Sequence, residues 1–173
     1  DETMNAWCMP GGKIVFYTGI LPVAKNETGV AAIMGHEVAH ALANHGQQRM
    51  SAGMLQQIGA VAGNVAIQDN QARDAFNQYY GVGSQLGVML PFSRNHESEA
   101  DKIGLYLMAI SGYNPAEAAE LWKRMKANSG NGEAPPEILS THPSNDSRIA
   151  NLTALAPSAA VEARKFGVTK FRE

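Results

Sequence analysis

The sequence predicts an α+β domain that is mostly helical, with a small sheet near its N-terminal end. Three observations carry this. β-branched and aromatic residues crowd into "KIVFYTGIL", residues 13 to 21, directly behind the turn signal "PGG" at Pro10 to Gly12. From Thr28 onward the apolar residues recur at helical spacing instead. Later stretches are bracketed by helix start and stop residues. With 173 residues, 45% hydrophobic and 17% charged, the chain has the size and composition to bury one sizeable core. No internal repeat or long linker divides it, so residues 1–173 read as one domain.

Taken in order, 13 to 21 is the strand. The helix after Thr28 carries two faces, an apolar stripe of Met34, Val38, Ala41 and Leu42 and a neighbouring face of Ile33, His36, Glu37 and His40. Residues 51 to 90 are rich in Ala, Gly, Gln and Met and nearly free of charge. They read either as two closely packed helices or as a mobile lid or surface that meets a membrane or a second copy of the chain. "SRNHESEADKIGLYLMAISGY" is a helix starting near Ser93 and ending at Gly112, and "NPAEAAELWKRMKAN" another, with Asn114 as N-cap and Pro115 at its first position. A Gly, Pro and Ser-rich loop over 128 to 143 leads to a short helix from Ser144 to Ala154, then a further helix or a fraying tail.

Composition excludes some classes of function. A formal charge of −2 and scattered lysines and arginines leave no basic stripe for nucleic acid. No run reaches the ~18 apolar residues of a membrane span, and no charged-then-apolar leader precedes the domain, although the chain begins at Asp1 and not Met. The single cysteine, Cys8, has no internal disulfide partner and is either a buried small hydrophobe or an exposed thiol.

The chemistry concentrates in "GHEVAHALANHG", Gly35 to Gly46. His36, Glu37 and His40 form H-E-x-x-H. On a helix, residues four apart stand one turn above the other, so both imidazoles can reach one ion, while Glu37 is turned roughly 100° aside, where it can take a proton from water. By chance the motif arises in roughly one chain in a hundred of this composition, so a third ligand has to support it. His45, His96, Glu97 and Glu99 compete. His45 comes one position too early for a third histidine of the H-E-x-x-H-x-x-G-x-x-H type, and Ala43 stands where that pattern has its turning glycine. Glu97 is stronger, because Asp101 follows four residues later on the same face, placed to accept the other ring N–H of a metal-binding histidine. Glu99 points away on that helix, and His96 reads as a surface histidine.

"HEVAH", "SRNHESEAD" some fifty residues on, "STHPSNDSR" from Ser140 to Arg148, and "NAWCMPGGKIVFYTGIL" ahead of them occur in one order. Together they resemble the M48 family of zinc metalloendopeptidases within the gluzincins, over Asn5 to about Leu152. The resemblance implies a zincin-like fold with H-E-x-x-H on its active-site helix, and one Zn2+ per chain held by His36, His40 and Glu97. It implies Glu37 as general base and acid, and Asp101 as the residue that orients a histidine. It further implies that Gly12, Lys13, Ile14, Val15 and Phe16 form an edge strand on which an extended peptide lies, giving sequence-tolerant affinity. His142 is an oxyanion stabiliser or a fourth zinc ligand that holds the enzyme off, readings preferred over a purely structural loop histidine. Arg148 either anchors this loop to a carboxylate or is solvated. Family members usually carry additional chain ahead of the "NA" segment, so this sequence is expected to start inside the catalytic domain.

The expected function is therefore hydrolysis of peptide bonds in unfolded or misassembled proteins through a zinc-activated water. The rival is a catalytically weak client-binding or assembly factor in which zinc is structural. The absence of multiple spans points to the soluble or lipid-anchored bacterial branch, periplasmic or associated with the outer membrane, with residues 51–90 as the surface for membrane contact or homo-oligomerisation. Cys8 is not placed like a lipidation cysteine.

Overall fold

A computed structural model describes residues 2–9, 11–128, 138–139, 142–143 and 145–173. They gather in two compact units, one drawn from 1–43 and 98–173, the other from 44–97. The mostly helical α+β class is observed.

The first unit opens on a hairpin. Strands β1 (Ala6–Cys8) and β2 (Ile14–Phe16) run antiparallel, with Ala6 opposite Phe16, Trp7 opposite Val15 and Cys8 opposite Ile14. The turn between them needs backbone that side chains resist, and Gly11 and Gly12 supply it at φ +90° and +80°. Pro10, the first residue of the turn signal, lies outside the described residues. The strand expected over 13 to 21 is shorter than that. After Phe16, which pairs with the first residue of β1, the chain makes a 3-10 turn at Thr18–Ile20 and a one-turn helix, α1 (Leu21–Ala24), whose first turn holds Pro22, where a missing N–H leaves no helical bond unmade.

Helix α2 (Glu27–Leu42) starts where the Asn26 side chain accepts the Gly29 N–H at 2.8 Å. Its buried face is not the expected apolar stripe. Met34 is 43% and Leu42 62% exposed, while Ile33, Gly35, His36, Glu37 and Ala39 are buried. The reason is a close backbone crossing with α5 (Leu90–Ile110): a Cβ on Gly35 would stand 2.7 Å from the Gly104 carbonyl oxygen, and one on Gly104 2.7 Å from the His36 nitrogen. At the crossing itself no side chain fits, so the glycine and the residues flanking it, the polar motif among them, turn inward.

Helix α6 (Ala116–Asn128) is capped by Asn114, whose side-chain oxygen accepts the Ala116 N–H at 3.0 Å, and it buries Leu121, Trp122 and Met125. Helix α7 (Asp146–Arg164) is capped by Asn145, which accepts the Arg148 N–H at 2.8 Å. It runs ten residues beyond the expected end at Ala154 and carries Pro157 inside it. Burial of Ala159 and Ala163 in the core outweighs the one hydrogen bond that the proline removes. The C-terminal residues neither fray nor continue as helix. The Arg172 N–H bonds the Gly112 carbonyl at 2.8 Å, and its own carbonyl accepts from the Asn114 N–H and from Thr28 Oγ1. Of the loop expected over 128 to 143, residues 129–137, Ser140 and Thr141 lie outside the described residues, as does the helix start expected at Ser144. Ile20, Leu105, Leu121, Met125, Ile138 and Leu152 are the largest fully buried apolar side chains.

The second unit is a helical hairpin, the packed pair that the charge-poor composition suggests. The chain leaves α2 through Asn44 at φ +56°, a left-handed position that asparagine tolerates, so the turn falls one residue after Ala43. Helices α3 (His45–Ala66) and α4 (Asn70–Ser84) are tied by Tyr80 Oη to the Gln56 carbonyl at 3.0 Å, Gln56 Nε2 to Ser84 Oγ at 2.6 Å, and paired Asn64 and Asn77 amides. A π-turn at Gln85–Met89 leads directly into α5, which starts at Leu90, not near Ser93. The wider turn accommodates Pro91, whose ring would clash with the carbonyl four residues back in a regular helix. Among the described residues no helix is long and apolar enough to cross a membrane.

Candidate active site

One turn apart on α2, His36 and His40 bring their Nε2 atoms within 3.0 Å of each other. His142, whose N–H bonds the Ile138 carbonyl, brings Nδ1 to 3.2 Å from His36 Nε2. A tetrahedral ion with nitrogen ligands at 2.0–2.1 Å sets those nitrogens about 3.3 Å apart, so three imidazoles converging at this spacing fit a zinc-type centre. His142 lies 106 residues from His36 along the chain, so it joins the α2 pair only in the fold.

The far side of His36 is fixed as firmly. Its Nδ1 lies 3.0 Å from Asp101 Oδ1, and a proton held there leaves the Nε2 lone pair turned towards His40 and His142. Asp101 is in turn gripped by Arg148, which donates from Nε to Oδ2 at 2.5 Å and from Nη2 to Oδ1 at 2.6 Å. Burial alone would raise the Asp101 carboxyl, but the hydrogen bond with His36 and the Arg148 charge outweigh it and hold the group below the usual aspartate range. Arg148 is 6% exposed, stacks 3.5 Å over the Trp122 ring, and reaches the Pro143 carbonyl with Nη1 at 3.3 Å. Of its two readings, the anchor to a carboxylate is the one observed. Trp122 also meets the His36 ring edge-on at 5.7 Å. Sequence reasoning passed over Trp122, which reads there only as one more apolar residue at helical spacing on α6.

Glu37 is buried, 2% exposed, with Oε1 3.6 Å from His142 Nε2. Burial pushes the Cys8 thiol upward, and the negative charge of Glu37 pushes it further, so β1 runs within electrostatic reach of the glutamate. Cys8 is half-buried. In the same hairpin, residues Ile14–Phe16 bond β1 along one edge and have no strand partner on the other among the described residues. Gly12 and Lys13 belong to the turn that precedes them.

The remaining candidates separate clearly. Glu97 stands on α5 one turn before Asp101 and on its face, half-buried, as the last residue of the second unit. Glu99 is exposed, as its rotation on the helix requires. His96 is not a surface histidine: it is 9% exposed, stacks on His45 with centroids 4.1 Å apart, meets Phe92 at 4.0 Å and pairs with Gln48 Oε1 at 3.1 Å. The i, i+4 spacing from Phe92 is the sequence signal that could have revealed such packing.

The family model of peptidase family M48 matches residues 1–156, most of the chain. The chain belongs to peptidase family M48. Relatives of this M48 chain include the mitochondrial metalloendopeptidase OMA1 of Schizosaccharomyces pombe, 36% identical over 162 residues that make up 94% of this chain and 46% of that protein. The OMA1 of Saccharomyces cerevisiae is 35% identical, over 90% of this chain and 44% of its own length. The beta-barrel assembly-enhancing protease of Escherichia coli is 30% identical, over 87% of this chain and 32% of that protein. The chain thus spans less than half the length of these relatives. Both yeast relatives are named metalloendopeptidases, and the histidine cluster of this chain is a donor set that could hold a metal ion.

Proposed function

We propose that residues 1–173 form one M48 catalytic domain, a zinc-dependent endopeptidase that cleaves unfolded or misassembled proteins. The observation that supports this most is the convergence of three imidazole nitrogens beside a buried glutamate. In this reading His36 and His40 hold the ion with Glu97, whose helix is unbroken between it and the Asp101 that grips His36. Bound zinc supplies a Lewis acid that polarises the scissile carbonyl and acidifies water. Asp101 keeps His36 in the tautomer that presents Nε2. Glu37 accepts the proton of the attacking water and delivers it to the leaving amine, so no covalent intermediate is required. Ile14 to Phe16 bind the substrate backbone along the outer edge of β2, with Gly12 and Lys13 in the turn at its end, which makes selection by side chain weak.

His142 Nδ1 lies 3.2 Å from His36 Nε2 and its Nε2 3.6 Å from Glu37 Oε1, so it would compete with water and a substrate carbonyl for the ion that His36 and His40 would hold. We read it as restraining. A periplasmic or outer-membrane-associated location rests on the bacterial relatives alone, because the yeast relatives are named mitochondrial. The experiment is cleavage of casein by the zinc-loaded chain beside Glu37→Gln, with metal content measured in both. Cleavage by the parent only, at equal zinc, is expected. Equal cleavage by Glu37→Gln removes the assigned role, and no cleavage by either, both holding zinc, favours a client-binding module with structural zinc.

A further inference from the structure

Helix α3 turns an apolar seam outward. Met54, Ile58, Val61 and Val65 are 63%, 59%, 64% and 71% exposed, and Met50 and Leu55 extend the patch. Their intervals of four, three and four residues are those of a heptad seam, with β-branched Ile58 and Val65 in the first core position and Met54 and Val61 in the second. A surface depression of about 630 Å3 runs beside these four side chains.

We propose that α3 is a self-association face, and that its occupant is α3 of a second copy of this chain. Charge supports a second copy. No Asp, Glu, Lys or Arg occurs between Met50 and Gln68, so two identical faces meet without repulsion. The same absence argues against a lipid surface, since helices that lie in a membrane interface carry Lys and Arg on the polar side, and here that side is Gln, Asn, Ser and Gly. The seam also lies opposite the Gln56, Gly59 and Gly63 side that packs on α4, so the hairpin need not open to use it. Area sets the strength. The six exposed side chains offer roughly 600 Å2 per copy, short of the ~800 Å2 of a standard stable interface, which makes the dimer weak and concentration-dependent.

The test is sedimentation velocity of the 173-residue chain from low to high micromolar concentration, beside the double variant Ile58→Glu, Val61→Glu. Both positions are exposed, so circular dichroism and zinc content should match the parent. A dimer fraction that rises at least severalfold across the range in the parent, and is lost in the variant, supports the seam. A parent that stays monomeric throughout overturns it, as does a dimer that the variant leaves intact. Flotation with neutral or anionic phospholipid vesicles that depends on Ile58 and Val61, in a monomeric parent, would assign the face to a membrane instead.

Discussion

Replacing Gly104 with alanine tests how the site is set. The new Cβ would lie 2.7 Å from the His36 nitrogen, 2.8 Å from the Gly35 carbonyl carbon and 2.9 Å from its oxygen, all backbone atoms that cannot swing aside. Ordinary contact begins at 3.4 Å, so the two helices must part by 3.4 − 2.7 = 0.7 Å at that point. Asp101 lies one turn earlier on the moving helix, and its 3.0 Å bond to His36 Nδ1 would stretch to about 3.7 Å, beyond the range in which such a bond holds. Overpacking costs about 1–3 kcal/mol, but alanine regains about 1 kcal/mol of helix propensity over glycine. Net stability therefore falls by about 0–2 kcal/mol, a range too wide to isolate the site and so a poor readout. Metal affinity is the better one, because losing the carboxylate partner of a ligating histidine costs about 10–100-fold. Zinc competition against a chelator, with a urea melt to confirm folding, measures both. Zinc affinity equal to the parent's in a folded Gly104→Ala chain would refute the argument that the glycine crossing sets the His36–Asp101 distance.

Further outcomes follow from the same geometry. Because the Asp101 carboxyl titrates below its ordinary value of 3.8 when folded, its contribution is complete above that value and fades as pH falls towards the folded pKa; urea stability measured from pH 2 to 6 should show this acid limb, and Asp101→Asn should flatten it. At neutral pH that variant leaves the buried Arg148 without its counter-charge, and a loss of about 3–5 kcal/mol is expected in the same melts. His142→Ala should cleave casein faster at unchanged zinc content if the histidine restrains the site, and a slower rate at equal zinc would assign it to transition-state stabilisation.

Helical periodicity determined much of this protein from sequence alone. Four-residue spacing on a helix forces His36 over His40 and Glu97 over Asp101 whatever surrounds them, and the side chains of Asn26, Asn114 and Asn145 cap their helices through local hydrogen bonds. Such relations reach no further than one turn. What joins one turn to another was decided by tertiary structure: the inward face of α2 was set by the Gly35–Gly104 crossing and not by where its large apolar residues lie, and β2 ends at Phe16, where its partner strand begins at Ala6. Arg148 reached Asp101 and His36 across 47 and 112 residues of chain, and Trp122 came to lie under its guanidinium. A buried charge requires a partner, but its sequence position does not say which one; packing alone brings the two together.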